Sequence, residues 1–227
     1  MNTLHQFLFG IYPYICLAVF LLGSLVRFDR DQYTWKSDSS QLLRRGQLRW
    51  GSNLFHLGIL GIFFGHLFGL LTPLSVWHML GVSAPAKQTL AIVAGGLAGI
   101  ACLAGLILLI HRRLVEPRIR ATTRTMDLAV LYLLLAQLLL GLFSIVVSAR
   151  HLDGGEMIKL MMWAQHIVTL RGDAASFVTD VALVFKLHLV LGMTIFLVFP
   201  FSRLVHVWSG FATLSYVTRA YQVVRHR

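Results

Sequence analysis

Four histidines sit where a polar ring is costly. His56 and His66 lie in GSNLFHLGILGIFFGHLFGLL, and His188 and His206 in KLHLVLGMTIFLVFPFSRLVH. Imidazole can ligate a metal, carry a proton or hold a hydrogen bond. An ionisable residue inside an apolar run long enough to cross a bilayer is a functional candidate by default. Any one such ring, taken alone, is as readily explained by a hydrogen bond to a neighbouring helix. The other six, His5, His78, His111, His151, His166 and His226, fall at the ends of apolar runs, in loops or in the tail. There a polar ring costs little.

The elements that must position these rings follow from composition. Of 227 residues, 57% are hydrophobic and only 13% charged, and the mean hydropathy is +0.73. A soluble domain carries about a quarter charged residues. Disorder, nucleic-acid recognition and a disulfide-stapled module are excluded on the same grounds. The two cysteines, Cys16 and Cys102, lie in apolar stretches and read as small buried hydrophobes.

The expected fold is therefore an all-α membrane protein, a single domain over 1–227. About 20 apolar residues cross the hydrocarbon core as a helix, and five runs qualify: Phe7–Val26, Asn53–Leu71, Thr89–Ile110, Leu128–Ser148 and Val181–Trp208. The first has no basic segment and no small-residue cleavage site before it, and basic residues follow it instead, so it reads as an uncleaved span. Between the third and fourth runs lie Arg112, Arg113, Arg118, Arg120 and Arg124. Between the first and second lie Arg27, Arg30, Lys36, Arg44, Arg45 and Arg49, and the C-terminal end adds Arg203, Arg219, Arg225 and Arg227. The opposite side holds Lys87, Arg150, Lys159 and Arg171. The positive-inside rule then puts the N-terminus outside, in the periplasm, and the C-terminus, with a tail over 209–227, in the cytoplasm. The outer loop 149–180 contains EMIKLMMWAQHIVTL (Glu156–Leu170), amphipathic enough for a helix lying along the interface.

On this topology the four histidines sort by depth. His56 and His206 form an inner pair, His66 and His188 an outer pair. Ten residues on the second span rise about 15 Å and eighteen on the fifth about 27 Å. Tilt and a kink at Pro200, between the two fifth-span histidines, would together reconcile the lengths. Zinc would want three or four ligands per site, and a proton relay would use acids, yet no Asp or Glu sits in any span interior. Two facing histidines can fill both axial positions of a haem iron. With no open position for oxygen, such a haem transfers electrons, and two of them make a path across the bilayer. Gly58, Gly61, Gly65 and Gly69 fall on the face away from the histidines and read as a seam for close helix packing. Gly95 and Gly99 repeat the spacing.

At this point the whole chain resembles a known family, the gamma subunit (di-haem cytochrome b) of respiratory nitrate reductase. The likeness is carried by IYPYI (Ile11–Ile15), QYTW (Gln32–Trp35), SNLFHLGILGIFFGH (Ser52–His66), RRL…PR (Arg112–Arg118), and KLHLVLGMT…FPFSRLVH (Lys186–His206). The resemblance implies a multi-pass protein of the bacterial inner membrane that carries two b haems. It would anchor a molybdenum-containing alpha subunit and an iron–sulfur beta subunit at the cytoplasmic face. His66 and His188 would ligate the outer haem, His56 and His206 the inner. Quinol would be oxidised beside the outer haem, with the family's quinol-site lysine falling on Lys87 and Gly65 giving a quinone ring room. The local spacing SAPAKQT departs from the family pattern by about one residue.

Lys87 is the only cation in its loop, placed to donate to a quinone oxygen; the plain alternative is a lysine at a span end facing headgroups. Arg112, with Arg113, is a candidate partner of an inner-haem propionate, and positive-inside topology explains both equally well. Two other functions stay open: a di-haem anchor of another oxidoreductase, of formate dehydrogenase or heterodisulfide reductase type, and a haemless transporter using its intramembrane histidines. Co-purifying subunits separate the first, an absorption spectrum the second. The nitrate chemistry is expected in a partner, because this chain has no molybdenum or iron–sulfur ligand set.

Overall fold

Five apolar helices carry the chain back and forth in a computed structural model that describes residues 2–35 and 45–210. They are α1 (Thr3–Arg30), α2 (Arg45–Leu71), α4 (Ala84–Val115), α6 (Thr125–Ser148) and α8 (Leu183–Val198). Short helices α3 (Leu74–Met79) and α5 (Pro117–Thr122) turn the chain between them, and α7 (Gly155–Val168) fills the long loop before α8. The first four long helices are long and apolar enough to cross a membrane, and so is α8 with the 3-10 turn that continues it to Phe201, as the five runs predict. The basic residues Lys36 and Arg44, the tail 211–227 with Arg219, Arg225 and Arg227, and His226 lie outside the described residues.

Local sequence explains the irregular turns. In α1 a π turn at Phe7–Ile11 precedes Pro13. Proline has no N–H for the carbonyl four residues back. The Phe9 carbonyl takes the Trp163 indole N–H instead, at 2.9 Å, which ties α7 to the first span. Ser83 opens α4 by accepting from the Ala86 N–H, with Pro85 in the first turn.

Packing runs in the order α2, α4, α6, α8, α1. The closest pairing is α2 on α4, and glycine makes it possible. A Cβ at Gly58 would overlap the Cys102 main-chain N, and one at Gly105 the Phe55 main-chain N. The expected seam is thus present only in part. Gly58 and Gly61 face α4, whereas a Cβ at Gly65 or Gly69 would meet nothing within 4 Å. Two straight helices that cross touch only near the crossing, so the far end of α2 has already parted from α4. Gly51 and Gly105, unremarked in the sequence, belong to the seam. Gly99 faces α6, where a Cβ would lie 2.7 Å from Leu142 Cδ2.

Cys102, Leu106, Ile110, Leu131 and Leu138 bury themselves between α4 and α6. A second core joins α7 and the 3-10 turn Ala174–Val178 to Phe9 of α1 and to Val184 and Phe185 of α8. His166, expected to be unremarkable by position, is buried within α7: it is 6% exposed and its Nδ1 lies 2.6 Å from the Asp173 carboxylate. That hydrogen bond holds the Asp173 carboxyl below its ordinary pKa.

The fifth span departs from the expected single helix over 181–208. Regular α-helix stops at Val198, followed by a 3-10 turn Phe199–Phe201, an extended Ser202 and a second 3-10 turn Arg203–Val205. Pro200 is the cause, since it removes one rung of the helical ladder. His206 begins a new helical turn beyond the break.

Candidate functional site

The helix order leaves α2 facing α8 across the bundle, and the histidines meet there in two pairs. The His56 and His206 ring centres are 6.3 Å apart, those of His66 and His188 6.1 Å. Three of the rings are aimed by their own main chain. His56 Nδ1 lies 2.7 Å from Ser52 O, His66 Nδ1 2.8 Å from Ile62 O, and His206 Nδ1 2.7 Å from Arg203 O. Such a bond puts the proton on Nδ1 and leaves Nε2 as the ligating nitrogen. His188 is held differently, with Nε2 3.3 Å from Gln137 Nε2 of α6.

The spacing is a test of the expected haem. Two metal–nitrogen bonds of about 2.0–2.1 Å, with each ring centre about 1.1 Å behind its nitrogen, put imidazole centres about 6.3 Å apart. Both pairs fit. No group of three or more His, Cys, Asp or Glu residues suited to a metal ion occurs among the described residues, so the donor sets are two nitrogens each.

At the His56–His206 end, Arg27 of α1 secures the broken helix. Its Nη1 donates to Pro200 O at 2.6 Å and to Ser202 O at 2.8 Å, and Nη2 to Thr34 O at 3.0 Å. The break frees these carbonyls from their ladder, and a guanidinium fork fits two of them at once. Asp127, buried in the first turn of α6, lies 3.4 Å from Arg113 and 3.9 Å from Arg203. Arg113 also donates to Thr123 Oγ1 at 3.3 Å. Arg112 is 4% exposed on the last turn of α4.

At the His66–His188 end, Lys87 does not face headgroups. It sits in the first turn of α4, 4% exposed, with Nζ donating to Gly69 O at 2.8 Å. Met161 Sδ at 3.2 Å and Met157 Sδ at 3.4 Å receive its other hydrogens, and the Trp77 ring centre lies 5.3 Å away. Gly69 is one turn beyond His66, so the ammonium closes the carbonyl end of the helix that carries this ring. Gln165 completes the cap, donating to Leu70 O at 2.9 Å. The Trp77 indole N–H is buried without a partner. The open space at Gly65 borders His66 on the same turn. Trp77, the methionines at positions 157 and 161, and Gln137 escaped the sequence reading; the four-residue spacing of the methionines on α7 was the available signal.

The family model described as nitrate reductase gamma subunit matches residues 5–227. The respiratory nitrate reductase 1 gamma chain of Escherichia coli is 53% identical over 230 residues, covering 100% of both chains. The respiratory nitrate reductase 2 gamma chain of the same organism is 55% identical, covering 100% of this chain and 99% of its own length. The nitrate reductase gamma chain of Bacillus subtilis is 41% identical, with 98% of each covered. With a full-length family match and relatives this similar, the chain belongs to the nitrate reductase gamma subunit family.

Proposed function

We propose that this chain is the quinol-oxidising, di-haem cytochrome b subunit that anchors its nitrate reductase in the membrane. Membership of the family makes it a subunit of that complex, and its five apolar helices make it a multi-pass protein of the bacterial inner membrane. The observation that supports the redox role best is the pair of imidazole spacings, 6.3 and 6.1 Å, each right for one metal ion between two nitrogens. His66 and His188 would hold the outer haem, His56 and His206 the inner. Bound there, the two b haems would supply one-electron carriers at two depths.

The chain's own residues account for the rest of the activity. Basic residues cluster at the His56–His206 end, which supports a cytoplasmic position for that end and a periplasmic N-terminus. Lys87, dry and cationic, would exchange a methionine sulfur for a quinol oxygen and hold it by a charge-assisted hydrogen bond. Gly65 leaves the ring room beside His66. Arg112, buried at the inner end, would meet a haem propionate. Each quinol releases two protons outward, and its two electrons move inward at a cost of about 2.3 kcal/mol each per 100 mV of opposing potential. They leave to an iron–sulfur beta subunit docked on the cytoplasmic face, next to the molybdenum-containing alpha subunit.

A pyridine haemochrome assay on the purified complex, with the soluble subunits counted separately, tests this reading. Two b haems assigned to this chain are expected. None, or one, would refute it.

A further inference from the structure

His188 breaks the pattern set by the other three histidines. They spend Nδ1 on a carbonyl of their own chain three or four residues back. His188 leaves Nδ1 buried with no partner, and the residue touching it, Gln137, leaves Oε1 buried with no partner. A buried donor or acceptor left unmatched is destabilising. Here one missing donor and one missing acceptor sit on two side chains already in contact at 3.3 Å.

The contact is also built for. Gly141 follows Gln137 by one turn on α6, and a Cβ there would lie 3.0 Å from His188 Cε1. Gly192 follows His188 by one turn on α8, and a Cβ there would lie 3.1 Å from Gln137 Nε2. Each helix is thus pared to hydrogen where the amide and the imidazole meet.

We propose that Gln137 is the positioning residue of the outer haem ligand: its amide carbonyl accepts the hydrogen bond from His188 Nδ1–H. This rests on the proposed role of His66 and His188 as axial ligands. An Nε2 given to iron cannot also accept from the amide N–H, and the ring proton then resides on Nδ1. The amide, displaced from Nε2, finds the one donor nearby that lacks an acceptor, and turns Oε1 towards it. A hydrogen bond on the far nitrogen fixes the ring and raises its basicity, as outer partners of metal-bound histidine do. Greater basicity favours ferric over ferrous iron, so Gln137 lowers the potential of the outer haem alone.

The test is a redox titration of both haem bands in the intact complex, for wild type, Gln137→Leu and Gln137→Glu. Leucine removes the acceptor, and a tenfold loss of ferric preference reads as an upward shift of about 59 mV in the outer haem. Glutamate keeps an acceptor and holds or lowers the midpoint. The inner haem stays put in both. Unchanged midpoints in Gln137→Leu, or equal shifts of both haems, would overturn the proposal. If Gln137→Leu loses the outer haem outright, Gln137→Glu decides: haem retained without an upward shift supports the role, and an upward shift refutes it. Wild type lacking two haems would instead sink the axial-ligand reading, and this inference with it.

Discussion

Arg27→Met is the substitution that separates a topology charge from a structural one. Sequence alone makes Arg27 one basic residue among many on an inner loop, and as such its loss should do little. In the structure its guanidinium holds the two carbonyls at the break in the fifth span, Pro200 O and Ser202 O, six and four residues ahead of His206. Hydrogen bonds to a charged group contribute about 1.5–3 kcal/mol each. Arg27 is only half-buried, so solvent screening brings the two together down to about 2–3 kcal/mol. Methionine keeps the apolar stem and removes the donors. If that energy is what holds His206 opposite His56, the inner haem binds about 30- to 150-fold more weakly, at 1.4 kcal/mol per tenfold. The assay is a reduced-minus-oxidised spectrum of membranes and purified complex, with haem counted per chain. The inner species should fall while the outer one and the amount of inserted protein stay constant. Arg27→Lys, which keeps the charge but loses the planar fork that also reaches Thr34 O, should lie between. An inner haem retained at wild-type level in Arg27→Met would refute the reasoning, as would equal loss of both haems.

Four further outcomes can be checked. His66→Ala and His188→Ala should each remove one and the same spectral species, and His56→Ala and His206→Ala the other; any crossing between the sets, read in the same difference spectra, would dissolve the pairs. Lys87→Ala should slow quinol:nitrate turnover ten- to a hundredfold, the loss of one charge-assisted bond of about 1.5–3 kcal/mol, while both haems remain. Because Lys87 also caps α2, the thermal midpoint of Lys87→Ala should drop, and wild-type turnover would remove the lysine from the quinol site. Gly105→Ala should cost about 1–3 kcal/mol or more of stability, its Cβ having only main chain to displace, whereas Gly69→Ala should melt like wild type. The Asp173 carboxyl is held below its ordinary value by His166, so its contribution is complete above about pH 4 and is lost as pH falls through the lower folded value; the melting temperature of Asp173→Asn should therefore fall less steeply than wild type under acid.

The span count and the pairing of the histidines were legible because both rest on local arithmetic: run length and residue spacing. What could not be read was any role that needs a distant partner. Lys87 looks like an interfacial lysine until α7 folds over it, and its methionine partners lie some seventy residues on. Arg27 and the carbonyls it holds are more than 170 residues apart. Gln137 was visible as a polar residue in an apolar helix, but nothing local pairs it with His188. The glycine ridge failed differently. All four glycines do lie on one face of α2, yet a shared face predicts contact only where the neighbouring helix is near.

The break in the fifth span follows from the same arithmetic carried one step further. Helix α2 holds its two rings ten residues apart, about 15 Å along a regular helix, while eighteen regular residues from His188 would overshoot to about 27 Å. Tilt alone cannot absorb a difference of about 12 Å between two helices that face each other and keep both pairs at 6.3 and 6.1 Å. One helix must give way, and it gives way at Pro200, where a rung of the ladder is missing already. The freed carbonyls then need a donor, which is the position Arg27 fills. Proline makes the break cheap and arginine makes it specific, so Pro200→Ala in an Arg27→Met background should let the span straighten and carry His206 past His56. Loss of the inner haem in the double variant beyond that in Arg27→Met is the expected result, and full recovery of the haem would show that α2, not the fifth span, is the helix that adjusts.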